Sequence, residues 1–129
     1  MKLNHANLPV ADVAALRDFF VRHFGFTEVE TRGRDAFVIL HDDDGFVLNL
    51  MKCREGEGFP ENFHVGFVLD SADMVRAKHA ELREAGVDAG PVEELRRAGP
   101  GSATFYCRAP SGVLVEVASV PVPGTSTRY

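Results

Sequence analysis

The sequence is poor in cysteine and in basic residues, and both shortages exclude classes of protein. Only two cysteines, Cys53 and Cys107, occur in 129 residues, and they form no CxxC pair. Neither a disulfide framework nor a structural zinc knuckle is therefore expected. The 14 Lys and Arg residues are outnumbered by 19 Asp and Glu, which gives a net charge of −5. A nucleic-acid surface needs a clustered basic field, so no nucleic-acid partner is predicted.

Long apolar stretches are also missing. No apolar run approaches the roughly 20 residues that a membrane-spanning helix needs. The residues after Met1 follow a strand pattern rather than the charged and then apolar pattern of a signal region. We therefore expect no membrane partner and a cytoplasmic location. The hydrophobic content of 45% and charged content of 26% are near globular averages and predict a single domain with one core.

Four strand-like segments each place one polar residue on the face opposite a row of apolar residues. Side chains alternate between the two faces of a strand. In FHVGFVLD, for example, Val65 and Phe67 share one face while His64 lies on the other. The polar residues selected in this way are His5, Asn49, His64 and Glu116. An unpaired carboxylate is costly to bury, so Glu116 needs a cation, a hydrogen-bond network or water. The pattern suggests a metal-binding cup.

The same features occur twice in the same order. Each half contains a histidine strand, a helix that ends at a glycine, further strands, and a glycine turn followed four residues later by a polar strand residue. In the first half these are His5, a helix at about 12–24, Gly25, Gly45 and Asn49. In the second half they are His64, a helix at about 71–85, Gly86, Gly112 and Glu116. This order predicts one module copied, with a longer loop in the second copy.

Local signals place the helices and hairpins. Asp12 and Ser71 are suited to cap the two helices, and the glycines after them provide left-handed stops. The first helix has an apolar stripe formed by Val13, Leu16, Phe20 and Phe24. Hairpins are predicted for 36–40 with 46–51 and for 103–108 with 113–119. Three other histidines are expected on helix surfaces or in a turn, with no function: His23, His41 and His79.

The segment LNHANLPVADVAALRDFFVRHFGF resembles the opening of the vicinal oxygen chelate superfamily. That superfamily includes glyoxalase I, fosfomycin-resistance thiol transferases, extradiol dioxygenases and bleomycin-resistance proteins. FHVGFVLDSADM and FYCRAPSGVLVEV resemble the start and end of its second module. The resemblance implies an α+β fold of two tandem βαβββ modules that form curved mixed sheets around a cup. It places module one at about 1–53, a connector at about 54–61, module two at about 62–120 and a loose tail at 121–129.

The resemblance also implies a divalent metal ion. The ligand positions map to His5, Asn49, His64 and Glu116. At the position of Asn49, glyoxalase I usually has a glutamate that helps to move the substrate proton, so the expected ligands are His5, His64 and Glu116. An asparagine cannot act as a general base. Two histidines and one carboxylate leave open positions on a metal and suit zinc, manganese, nickel or iron(II). Single-chain members of this size usually form a homodimer, so His5 of one chain is expected to join His64 and Glu116 of its partner.

The substrate side is implied by comparison with the fosfomycin transferases. Tyr106 falls where those enzymes carry a tyrosine, which makes it the catalytic candidate, and Asn7 falls where they place a threonine near the substrate. Their basic, serine-rich loop is not recognisable in GPVEELRRAGPGS, although Arg96 and Arg97 supply positive charge there. The expected substrate contacts are Asn7, Asn49, Tyr106, Arg96 and Arg97.

The favoured activity is electrophilic metal catalysis on a small oxygen-bearing substrate, with a ligand set nearest to that of the thiol transferases. Three alternatives remain open. One is a metal-free protein that binds a drug or metabolite, as bleomycin-resistance proteins do. Another is a dioxygenase or a lyase similar to glyoxalase I. The third is an interaction protein that uses the fold as a scaffold, since a fold does not fix a function. The retained histidines and glutamate favour the metal-dependent enzyme.

Overall fold

Each half of the chain folds as one helix with a four-stranded mixed sheet. The computed structural model describes residues 1–94 and 101–119. The fold divides into two units, Met1–Pro60 and Glu61–Tyr129. The tail expected at 121–129 lies outside the described residues.

The first unit is a βαβββ module. Its elements are β1 (His5–Val10), α1 (Val13–Phe24), β2 (Thr27–Arg32), β3 (Phe37–His41) and β4 (Val47–Lys52). The strand order is β1-β4-β3-β2, with β1 parallel to β4 and the other pairs antiparallel. Helix α1 begins after Asp12 because that side chain accepts a hydrogen bond from the Ala15 amide at 3.0 Å. It ends at Gly25, whose φ of 70° is readily adopted by glycine.

The second unit repeats this arrangement. Its elements are β5 (His64–Leu69), α2 (Ala72–Glu84), β6 (Asp88–Ala89), β7 (Thr104–Arg108) and β8 (Leu114–Ser119). The strand order is β5-β8-β7-β6, again with only the first pair parallel. Ser71 caps α2 by accepting a hydrogen bond from the Met74 amide at 3.1 Å. The predicted fold class of two tandem βαβββ modules is therefore confirmed.

The apolar faces of the strands form the two cores. In β8 and the residue before it, Val113, Val115 and Val117 are almost fully buried, and Leu48 and Leu50 of β4 are buried in the first unit. Asn49 and Glu116, at intervening positions, lie on the opposite face and are half-buried. The alternation in the sequence thus predicted the polar face of both central strands. No helix among the described residues has the length and apolar content needed to cross a membrane.

The structure corrects the prediction for two helix histidines. His23 is 7% exposed, and its ring packs edge-on against Phe19 at 5.4 Å, whereas Phe24 is half-buried. His23 is buried because it lies four residues after Phe19, on the same helix stripe. His79 contacts the Gly90 carbonyl oxygen through Nε2 at 2.8 Å. The expectation of a helix-surface position was therefore wrong for His23, which is buried, and incomplete for His79, which is half-buried.

Candidate metal site

The strand register of the second unit places Glu116 at the centre of the candidate site. Glu116 lies on β8, which pairs with β5 on one side and β7 on the other. Gly66 of β5 and Tyr106 of β7 are its direct partners across the sheet. His64 lies two residues before Gly66, so it shares a face with that position. Three separate strands therefore bring histidine, glutamate and tyrosine to one sheet face.

The His64 imidazole has one ring nitrogen held and the other directed at Glu116. Its Nδ1 lies 3.0 Å from the carbonyl oxygen of Asn62. A carbonyl oxygen only accepts hydrogen bonds, so Nδ1 is the donor and the neutral ring carries its proton there. The lone pair of Nε2 is then available, and Nε2 lies 3.6 Å from Glu116 Oε1. A histidine that binds a metal is usually oriented by a hydrogen bond of this kind from its second nitrogen.

The spacing between His64 and Glu116 suits two ligands of one ion. Two ligands that each lie about 2.0–2.2 Å from a tetrahedral zinc ion are about 3.4 Å from each other. The observed 3.6 Å between Nε2 and Oε1 is close to that separation. One imidazole nitrogen and one carboxylate oxygen are also donors that zinc, manganese, nickel and iron(II) accept. These two residues therefore fit a divalent metal ion.

A threonine that the sequence prediction missed holds the other carboxylate oxygen. The Thr104 hydroxyl donates a hydrogen bond to Glu116 Oε2 at 2.8 Å. Thr104 is 8% exposed, and the Glu116 side chain is 13% exposed. The only sequence signal is that Thr104 lies two residues before Tyr106 on the same strand and so shares its face. The two oxygens of Glu116 are thus divided between Thr104 and His64.

The glycine opposite Glu116 leaves the carboxylate uncovered on the β5 side. A Cβ atom built on Gly66 would lie 3.7 Å from Glu116 Cβ and 4.0 Å from Oε1. These are ordinary van der Waals distances, so an alanine would fit without displacing the carboxylate. A longer side chain would extend beside Oε1 and cover it.

Tyr106 lies beside the candidate metal ligands. Its ring is 5.6 Å from the His64 ring with an angle of 80° between the planes, which is a favourable edge-to-face arrangement. The residue is 39% exposed. Tyr106 therefore lies next to His64 and is accessible to solvent.

The first unit carries the equivalent positions with different chemistry. Asn7 of β1 and Ile39 of β3 are the direct partners of Asn49 on the central strand β4. His5 lies two residues before Asn7, as His64 does before Gly66, and its Nδ1 is 2.8 Å from Asn4 Oδ1. The position of Glu116 is thus taken by Asn49, and the position of Tyr106 by Ile39.

The two amides of the first unit differ in their hydrogen bonding. Asn7 is exposed, and its Nδ2 donates to the sulfur of Met51 at 3.0 Å. Asn49 Oδ1 is buried without a hydrogen-bond partner within the part of the chain that the structure describes. A buried acceptor of this kind is uncommon in folded proteins and costs free energy until a donor reaches it. It is therefore suited to accept a hydrogen bond from a bound molecule or a water.

The structure brings together only part of the predicted site. Within residues 1–94 and 101–119, no group of three or more His, Cys, Asp or Glu side chains is arranged to hold a metal ion. His64 and Glu116 form a pair in the second unit, with Tyr106 next to them. His5 belongs to the first unit. Arg96 and Arg97 lie outside the described residues.

The buried cysteine of the second unit is not a nucleophile. Cys107 is 2% exposed, and burial, with a smaller contribution from the Asp88 charge, raises the pKa of its thiol to about 11. The thiolate is therefore scarce near neutral pH. Its side chain belongs to the core below the sheet.

A pocket of about 800 Å³ lies elsewhere in the second unit, and its lining includes Arg76, His79, Arg83 and Glu93. Neither His64 nor Glu116 lines it. Two of its polar side chains already bind backbone carbonyls, since Arg83 donates to Ala89 at 2.9 Å and His79 contacts Gly90. The predicted ligands His64 and Glu116 lie together with Tyr106 outside this pocket.

Solved structures with low sequence identity share this fold. A lactoylglutathione lyase from Agrobacterium tumefaciens matches with a TM-score of 0.75 and 18% identity, covering 96% of this chain and 97% of that chain. A genomically encoded fosfomycin resistance protein from Listeria monocytogenes matches with a TM-score of 0.76 and 17% identity, covering 95% of each chain. At this identity the similarity concerns the fold.

A more similar sequence and a family model extend the comparison. A protein from Bacillus cereus described as a possible glyoxalase is 42% identical, with a TM-score of 0.79 and coverage of 91% of this chain and 97% of that chain. A comparison with curated proteins gave no match. The family model of the Glyoxalase/Bleomycin resistance protein/Dioxygenase superfamily matches residues 2–117. Since that match spans most of the sequence, the chain belongs to this superfamily, as its two modules and their ligand-like residues indicated.

Proposed function

We propose that the protein is a metal-dependent enzyme that acts on a small oxygen-bearing substrate. In this proposal His64 and Glu116 of one subunit bind a divalent ion together with His5 of the partner subunit in a homodimer. The observation that carries the proposal is the His64–Glu116 pair, with Nε2 and Oε1 separated by 3.6 Å and Nδ1 held by Asn62. His5 is included because it occupies the position equivalent to His64 in the repeated module.

The side chains around the pair define what they would do to a substrate. A bound divalent ion would act as a Lewis acid that stabilises negative charge on a substrate oxygen. Tyr106 would contact the substrate and is the candidate for a catalytic contact. Asn49 would accept a hydrogen bond from it, which is supported by the buried Oδ1 atom. Asn7 lies beside Asn49 and would add a second amide, and Arg96 and Arg97 are proposed to supply positive charge.

The identity of residue 49 favours addition to an electrophile over proton transfer. An amide does not take up a proton near neutral pH, so Asn49 cannot serve as a general base. A transferase that opens an epoxide with a thiol needs its oxyanion stabilised and does not need a base at this position. We therefore place a thiol transferase first among the reaction classes.

A lyase similar to glyoxalase is the second candidate. It is favoured by the Bacillus cereus relative, which is 42% identical and described as a possible glyoxalase. The two reactions differ in whether free thiol is consumed. Transfer to an epoxide consumes one thiol for each product formed, whereas rearrangement of a thiol adduct leaves the amount of bound thiol unchanged. Oxygen uptake with catechols would instead indicate a dioxygenase.

The proposal is tested by the metal content of the native protein. Equilibrium dialysis against Zn²⁺, Mn²⁺, Ni²⁺ and, without oxygen, Fe²⁺ is expected to give about one ion per subunit for at least one metal, since each dimer would contain two sites. Analytical ultracentrifugation of the same samples is expected to give a dimer. A dimer that binds none of these ions would contradict the enzyme proposal and favour a metal-free binding protein.

A further inference from the structure

The two oxygens of the Glu116 carboxylate have different partners. Oε2 accepts a hydrogen bond from the Thr104 hydroxyl at 2.8 Å, and Oε1 lies 3.6 Å from His64 Nε2. An ionised carboxylate only accepts hydrogen bonds, so the hydroxyl must be the donor. Because Thr104 already donates to Oε2, Oε1, which faces His64, is the oxygen with more capacity left for another partner.

The Thr104 backbone is held in place from both sides of its strand. Thr104 pairs with Ala118 of β8 on one side. On the other side its amide and carbonyl form two hydrogen bonds of 2.8 Å with the Glu93 backbone. Its branched side chain has few rotamers in a strand, and the residue is 8% exposed. The donor is therefore rigid, whereas the glutamate it contacts has three rotatable side-chain bonds.

We propose that Thr104 is a positioning residue that holds Glu116 so that Oε1 binds the metal ion as a single-oxygen ligand beside His64 Nε2. The inference deepens the proposed function and rests on it. Without the hydroxyl, Glu116 would be free to rotate or to offer both oxygens. Outer hydrogen bonds to ligands typically contribute about 10–100-fold to metal affinity, so Thr104 is expected to be a determinant of affinity and coordination geometry.

The test is Co²⁺ binding by the protein in solution, followed by measurement of the visible absorption of the bound ion. Thr104→Val keeps the shape of the side chain and removes the donor, and we expect it to weaken Co²⁺ binding by about 10–100-fold and to shift the absorption bands. Thr104→Ser keeps the donor and is expected to restore the native spectrum and most of the affinity. Thr27→Val, on exposed strand β2, is the matched control. It is expected to leave the Co²⁺ affinity and the absorption spectrum unchanged.

The outcomes separate the inference from the proposed function. Native affinity and spectrum in Thr104→Val, or failure of Thr104→Ser to restore them, would overturn the positioning role while the metal site stands. A native protein that binds none of Co²⁺, Zn²⁺, Mn²⁺, Ni²⁺ and Fe²⁺ would instead overturn the proposed function and the inference together. If the unfolding curve measured without metal shows that Thr104→Val does not fold, Thr104→Ala is used in its place. The alanine variant also removes the hydrogen-bond donor and adds no methyl group. A role confined to stability would change the unfolding curve and leave the spectrum of bound Co²⁺ unchanged.

Discussion

Glu116→Ala is expected to weaken binding of the preferred divalent ion by at least about 100-fold, which corresponds to about 2.7 kcal/mol. The proposed site has one carboxylate, so its loss removes the only anionic ligand and leaves two imidazoles. The sheet should persist, because alanine is accommodated in a strand and the neighbouring valines, Val115 and Val117, remain buried. Isothermal titration calorimetry of the metal-free protein measures the effect.

Two further variants make the Glu116 prediction specific. Glu116→Gln has nearly the same shape as glutamate and lacks its charge, so it is expected to lose most of the affinity even though Thr104 still has an acceptor. Glu30→Ala removes an exposed strand carboxylate that pairs with Arg32 at 2.8 Å and is expected to bind metal as the native protein does. Native affinity in both Glu116 variants would show that the metal is held elsewhere.

Phe20→Ala is expected to lower the free energy of unfolding by about 3–5 kcal/mol, the usual range for a buried phenylalanine. The Phe20 side chain is fully buried. Its ring packs edge-on against Phe19 and Phe26, with centroids 5.6 Å away in both cases. Truncation would remove both contacts and leave a cavity between α1 and its sheet. Urea denaturation measured without metal gives the change directly.

Val21→Ala is the control for Phe20→Ala. Val21 follows Phe20 on α1 and is 40% exposed, so its truncation is expected to change the stability by no more than about 0.5 kcal/mol. A loss below about 1 kcal/mol for Phe20→Ala would contradict the packing described for the first unit. The expected loss of about 3–5 kcal/mol for Phe20→Ala is a large fraction of the 5–15 kcal/mol by which a folded domain is usually stable.

The polar faces of the strands were predictable because a strand has a simple period. Alternation alone placed Asn49 and Glu116 opposite the buried valines and leucines, and the structure confirms that separation. The helices were predictable for a similar reason, since Asp12 and Ser71 form the expected caps. Strand alternation and helix caps depend only on nearby residues, and each of these signals occurs in both modules.

The contacts within the site were less predictable because they depend on register. Thr104 reaches Glu116 only because the β7–β8 pairing sets Tyr106 opposite Glu116. That pairing follows a tight connection in which the Ala109 amide donates to the Val113 carbonyl at 2.8 Å and Ser111 has a φ of 65°. Alternation assigns Thr104 to a face and does not specify its neighbour. Burial of His23 was missed for a related reason, since a helix stripe is wider than one line of residues.

The repeated module explains why the two halves have different roles in the proposal. Equivalent positions carry Glu116 and Tyr106 in one unit, and Asn49 and Ile39 in the other. The second unit would therefore supply the charged ligand and the aromatic contact. The first would supply His5 and a neutral amide that accepts a hydrogen bond from substrate.

The central claim is that one site combines His5 of one subunit with His64 and Glu116 of its partner. It is tested by mixing two variants that are each deficient in metal binding. His5→Ala and His64→Ala are each expected to bind little metal alone. A mixed dimer would contain one doubly damaged site and one site with all three ligands intact. After equal amounts exchange subunits at random, about half the dimers are mixed, so about one quarter of the native sites are expected to return.

Equilibrium dialysis of the mixture, before and after subunit exchange, measures that recovery. His41→Ala, which alters an exposed histidine at the end of β3, serves as the control in place of His5→Ala and is expected to give metal binding without any need for exchange. Recovery of about one quarter of the native metal content on mixing His5→Ala with His64→Ala is the predicted result. Metal content that stays at the level of the separate variants after exchange would contradict a site shared between subunits.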